Sequence, residues 1–117
     1  MTNLERAQDL YSMIFGGQLL EGFEKYYAEN VTMTELGEEA RVGKAVNREY
    51  EQKFAGSIEA FHDGGIKAMA SNEETGYVFI ENWMDVTATG MGRFQLHQVN
   101  VQKWEGGQIT EERFYHK

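Results

Sequence analysis

The sequence predicts an α+β domain in which helices gathered near the N-terminus lie over one face of a sheet built by the C-terminal half. Two observations carry this. Apolar residues recur at helical spacing up to about residue 55, and from residue 57 onward the chain reads as long strands separated by glycine turns. The 117 residues contain no proline, so every break is made by the 13 glycines and by polar turns. The length fits one domain spanning 1–117, with no linker, repeat or low-complexity segment.

Each element has a local reason. Thr2-Asn3-Leu4-Glu5 matches a capping box, and Leu4, Ala7, Tyr11 and Ile14 follow at helical spacing until Gly16-Gly17. Residues 18–29 predict a second helix with Leu19, Phe23 and Tyr26 on one face. Val31 to Glu35 is β-branched and reads as a short strand. A third helix is predicted over 43–55, with Val46, Tyr50 and Phe54 at four-residue intervals; its run from Asn47 to Lys53 reads as a solvated, ion-paired face. Segments 57–62 and 66–71 flank Asp63-Gly64-Gly65, either a hairpin turn or a bulge within one bent strand. Strands over 76–88, 92–104 and 108–116 follow, turning near Gly90 and at Glu105-Gly106-Gly107.

Composition excludes several function classes. The net charge of −8 and the lack of a basic cluster argue against nucleic acid and against an anionic membrane surface. No apolar run approaches the roughly 20 residues of a membrane span, and Met1 to Glu5 lack the basic start and apolar run expected of a signal peptide. With no cysteine, thiol nucleophiles and cysteine-ligated metals are excluded; His62-Asp63 lacks the paired spacing of a metal site. No phosphate-binding glycine loop or nucleophile elbow is present. A cytoplasmic location is the expectation.

The strand patterns point to a polar interior. On 92–104, one face carries Phe94, Leu96, Gln98, Asn100 and Trp104. Burying it requires partners for Gln98 and Asn100, from protein, water or a ligand. On 76–88 neither face is cleanly polar, so the face away from the helices is a candidate for covering by another subunit. The last hairpin has two readings. A two-residue Gly106-Gly107 turn pairs Asn100 with Arg113. A three-residue loop pairs Asn100 with Glu112 and Leu96 with His116, and turns Glu112, Phe114 and His116 toward Gln98 and Asn100. A carboxylate and imidazole there would form an acid–base pair.

The segment Glu24-Lys25-Tyr26-Tyr27-Ala28-Glu29-Asn30-Val31-Thr32, the helix start Val42-Gly43-Lys44 and the hairpin Lys103-Trp104-Glu105-Gly106-Gly107-Gln108-Ile109 together resemble the nuclear transport factor 2-like superfamily, in its SnoaL-like and ketosteroid isomerase-like branch. The resemblance covers the whole chain. It implies a cone-shaped, strongly curved, mostly antiparallel sheet, with three N-terminal helices closing a central pocket. It favours the three-residue hairpin loop, and homodimers packed through the convex sheet face. It also implies a hydrophobic small-molecule ligand and proton-transfer chemistry without cofactor or metal, as in isomerases, cyclases and dehydratases; non-catalytic binding modules share the fold. By resemblance Tyr11 falls on the family's hydrogen-bonding tyrosine, Glu35 on its carboxylate base and Asn100 on its second acid. Asn100 departs from the pattern, because an amide donates more weakly than a protonated acid. Leu96, Gln98, Glu112, Phe114 and His116 are the expected ligand-binding residues.

Overall fold

A computed structural model describes residues 1–116. Three helices, α1 (Asn3–Phe15), α2 (Leu19–Tyr26) and α3 (Lys44–Ser57), pack on the concave side of a six-stranded curved sheet. The strands are β1 (Tyr27–Glu35), β2 (Arg41–Val42), β3 (Ile58–Asn72), β4 (Tyr77–Ala88), β5 (Gly92–Glu105) and β6 (Gln108–His116), in the order β2-β1-β6-β5-β4-β3. This is the expected cone.

The capping box forms: Thr2 Oγ1 accepts from the Glu5 amide at 3.1 Å, and Glu5 accepts from the Thr2 amide at 2.8 Å. Ala7, Leu10 and Tyr11 of α1 are buried. They join Phe23, Val31, Met33, Val78, Ile80, Trp104 and Ile109 in the core between helices and sheet.

Several elements differ from the sequence reading. The second helix stops at Tyr26, and residues 27–29, expected as helix, already belong to β1. Strand pairing overrides helix propensity here, because Tyr27 sits beside Ile109 of β6. β2 was not anticipated, as two residues carry no periodicity. Residues 58–72 form one bent strand, with register shifts against β4 flanking the glycine pair. A Cβ at Gly64 would come within 2.7 Å of the Phe61 ring and 3.0 Å of the Phe15 ring, so the bend lets α1 approach. β1 runs parallel to β6, which makes the sheet mixed.

The last hairpin starts in the register of the two-residue reading, which also places Trp104 opposite Ile109, and then departs from it. Gly106 and Gly107 both have positive φ, 60° and 82°, as a two-residue type I′ turn demands, and Trp104 faces Ile109. A bulge beside Trp104 then shifts the pairing, so Lys103 faces Glu111 and Asn100 faces Phe114. The extra residue restores the side-chain parity of the longer loop. Glu112, Phe114 and His116 therefore share the concave face with Gln98 and Asn100.

The third helix is also rotated from expectation. Val46 is 52% exposed. Lys44 and Asn47 are buried, and Glu51 and Phe54 continue that stripe over the concavity. The segment read as a solvated face thus turns part of itself inward. Asn47 is fully buried because its amide closes the β2–α3 junction, donating to the Arg41 carbonyl at 2.9 Å and the Gly43 carbonyl at 2.8 Å.

Candidate functional site

Helices and sheet enclose a mostly apolar cavity of about 350 Å³, within the range of small-ligand sites. α1 supplies Leu10, Tyr11 and Ile14, α2 supplies Leu19 and Phe23, and α3 supplies Tyr50, Glu51 and Phe54. The sheet supplies Tyr27, Glu35, Asn82, Met84, Leu96, Gln98, Asn100, Phe114 and His116. Of the residues singled out in the sequence, Tyr11, Glu35, Asn100, Leu96, Gln98, Phe114 and His116 all line this space.

Glu112 does not line it. It lies behind the wall, 1% exposed, at the convergence of a hydrogen-bond network. The Tyr27 hydroxyl donates to Glu112 Oε1. Asn100 Nδ2 and Gln102 Nε2 donate to Oε2 at 3.1 and 2.8 Å. Trp104 Nε1 supports Gln102 at 3.0 Å, while Asn82 donates to the Asn100 carbonyl oxygen at 3.1 Å and Gln98 donates to Asn82 at 3.3 Å. The interior amides thus find their partners in the protein, and their donors run toward one carboxyl. Burial pushes the Glu112 carboxyl above its usual range, and its three donors pull the other way.

Tyr11 is arranged differently. It is 4% exposed, yet its hydroxyl makes no hydrogen bond among the described residues and opens onto the cavity. Burial raises its pKa well above the ordinary phenol value, with the negative charges of Glu112 and Glu51 adding, so it is a neutral hydrogen-bond donor at any physiological pH.

Glu35 ends β1 beside β6. Its Oε2 meets His116 Nε2 at 3.0 Å; its Oε1 has only longer neighbours, the Tyr50 hydroxyl at 3.4 Å and Arg41 Nη2 at 3.8 Å. The imidazole is therefore partnered by Glu35, where the sequence reading had paired it with Glu112. Arg41 is held in turn, with Nε on Asn47 at 3.1 Å and its guanidinium 3.6 Å from the Tyr50 ring centre.

Glu51 is the residue sequence reasoning missed. Its carboxyl lines the cavity with no hydrogen bond or ion pair among the described residues. Burial, then repulsion by Glu112, pushes its pKa up to about 7; Arg41 opposes this and Glu35 adds to it. Its i+4 spacing from Asn47 places the two on one face of α3, but only the structure shows that face to be buried. No cluster of potential metal ligands occurs among the described residues, and no helix there is long and apolar enough to cross a membrane.

A family profile described as a SnoaL-like domain matches residues 1–116. The chain belongs to the SnoaL-like domain family. Among solved structures, a Mesorhizobium loti protein proposed to be a SnoaL-like polyketide cyclase is similar at 28% identity. That match covers 98% of this chain and 99% of the other, with a TM-score of 0.83. A proposed isomerase from Bacillus subtilis (16% identity, 100% and 90% coverage, TM-score 0.83) and an LEH-like epoxide hydrolase from M. tuberculosis (13%, 98% and 82%, 0.79) share the fold. No curated protein matches significantly. A SnoaL-like domain is thus a fold on which cyclase-, isomerase- and hydrolase-type proteins are all found, and the chemistry of this one must be argued from its own cavity.

Proposed function

We propose that this SnoaL-like domain binds a small, hydrophobic, oxygenated molecule and transfers a proton on it without a cofactor. One observation carries the reading: the Glu35 carboxylate and the unbonded Tyr11 hydroxyl border the same apolar cavity. Glu35 Oε1 would take a proton from the carbon next to a carbonyl. The C–H electron pair becomes the enolate double bond, and the oxygen carries the charge. Tyr11 would donate to that oxygen, with Asn100 as a weaker second donor, since its amide is already shared with Glu112. His116 orients Glu35 through Oε2. Return of the proton to a different carbon completes an isomerisation; loss of a neighbouring hydroxide completes a dehydration. Leu96, Gln98 and Phe114 would shape the ligand's seat, and Glu112 would act through the amides it holds.

The test is solvent-deuterium exchange into 2-tetralone and cyclohex-3-enone, followed by NMR. Exchange above the buffer rate is expected, falling about 100-fold or more in Glu35→Gln while probe affinity stays within a few-fold. Exchange that ignores this substitution would overturn the reading. Binding without exchange would make the chain a non-catalytic ligand-binding module.

The outer sheet face supports a second copy of the chain as partner. Phe79, Val99 and Tyr115 lie exposed on it, at 45%, 37% and 43%. Light scattering should give a dimer mass, and Phe79→Glu should give a monomer; a monomeric parent protein would remove the proposal.

A further inference from the structure

The carboxyls around the cavity outnumber the cations that face them. Glu35, Glu38 and Glu51 line it and Glu112 stands behind its wall. Arg41 and His116 are the nearby bases, and both are turned to Glu35, at 3.8 and 3.0 Å. Glu51 is left with no partner among the described residues. Around it the cavity is walled by rings, among them Phe23, Tyr27, Phe54 and Phe114. Tyr11, buried to 4% exposure with an unbonded hydroxyl, marks the space as one built for an occupant.

We propose that the cavity takes a hydrophobic organic cation, an ammonium group on an apolar body, with its charge set against the Glu51 carboxylate and the aromatic walls. An ammonium with apolar substituents loses little hydration on entering such a space. Ring faces attract it, and a carboxylate without a protein partner gains one. A neutral ligand leaves Glu51 as it is. The proposal rests on the cavity being the ligand site, as above, and not on any chemistry at Glu35. A carbonyl compound that also bears an amine would satisfy both readings.

The pH dependence follows from the groups facing Glu51: Tyr11 from α1, Tyr27 and Glu35 from β1, Arg41 from β2, Tyr50 on its own helix, and Glu112 and His116 from β6. Burial and the neighbouring carboxyls hold Glu51 protonated up to about pH 7. A bound cation favours the ionised form, so binding expels that proton and tightens as pH rises.

The experiment compares phenyltrimethylammonium, which has no proton to lose, with its uncharged carbon isostere tert-butylbenzene, by NMR titration of the whole chain. At pH 8 the cation should bind at least about tenfold more tightly, and its affinity should rise about tenfold between pH 6 and pH 8. In Glu51→Gln the rise attributable to this residue should vanish and the preference should fall to about twofold; Glu51→Asp should keep most of it. Equal or tighter binding of the isostere overturns the proposal, as does failure of the cation to bind. So does an unchanged preference in a Glu51→Gln protein whose circular dichroism matches the parent. None of these outcomes touches the Glu35-dependent exchange experiment, which decides the proton-transfer reading by itself.

Discussion

Two polar regions share the concave side of this sheet, and they obey opposite rules. Around Glu112 the side-chain N–H donors each have a protein partner: Gln98, Asn82 and Asn100 on one side, Gln102 and the Trp104 indole on the other. Across the cavity, the Tyr11 hydroxyl and the Glu51 carboxyl have none among the described residues. Buried polar groups cost free energy unless they are hydrogen-bonded. The first region therefore holds the wall in shape, and the second is left open for the proposed ligand. A residue's burial alone does not separate the two roles, since Tyr11 and Glu112 are both almost fully buried; the count of partners does.

The comparison breaks most visibly at Glu112. Glu112→Ala leaves Tyr27, Asn100 and Gln102 without their common acceptor, so urea unfolding should show a loss of about 3 kcal/mol. A loss below about 1 kcal/mol would mean that water replaces the carboxylate and the network is not structural. Tyr11→Phe should do the reverse. Stability should change by less than about 1 kcal/mol because no protein hydrogen bond is lost, while exchange into 2-tetralone falls about 100-fold. A large stability loss would show that the hydroxyl serves the fold.

A pH-dependent test sharpens the picture of Glu51. Its carboxyl has a higher pKa in the folded chain than the ordinary 4.5, so the folded state holds its proton more tightly than the unfolded state. Its contribution to stability then falls as pH rises from 4.5 to about 7 and is flat beyond. Glu51→Gln should remove that slope and raise the melting temperature above pH 7. An unaltered slope would place the carboxyl in water.

Most of this architecture was legible because it is written in local patterns. The capping box, the Gly16-Gly17 break and the alternation on 92–104 each reflect a constraint that acts within a few residues. The inward face of the last strand was legible too, although the hairpin reached it through a two-residue turn plus a bulge. What stayed hidden depends on distant packing. Residues 27–29 become strand because Tyr27 pairs with Ile109 of β6, and nothing local to them announces that neighbour. The orientation of α3 is set by Asn47 tying the helix to β2, which turns Glu51 inward and Val46 outward, against the apolar spacing. Charged helix residues read as solvated unless something pins the helix, and here the pin is itself polar.

The pairing of β1 with β6 has a kinetic consequence. Glu35 and His116 are 81 residues apart in the chain, and Met33 reaches Glu112 across a similar span. The first strand must wait for the last before this part of the sheet can close, a contact order of the kind that slows folding. Both the carboxylate's orientation and the wall behind it depend on that one long-range pairing. A chain in which β1 and β6 have not met has no finished cavity, so a ligand that fits it would favour the fully folded form.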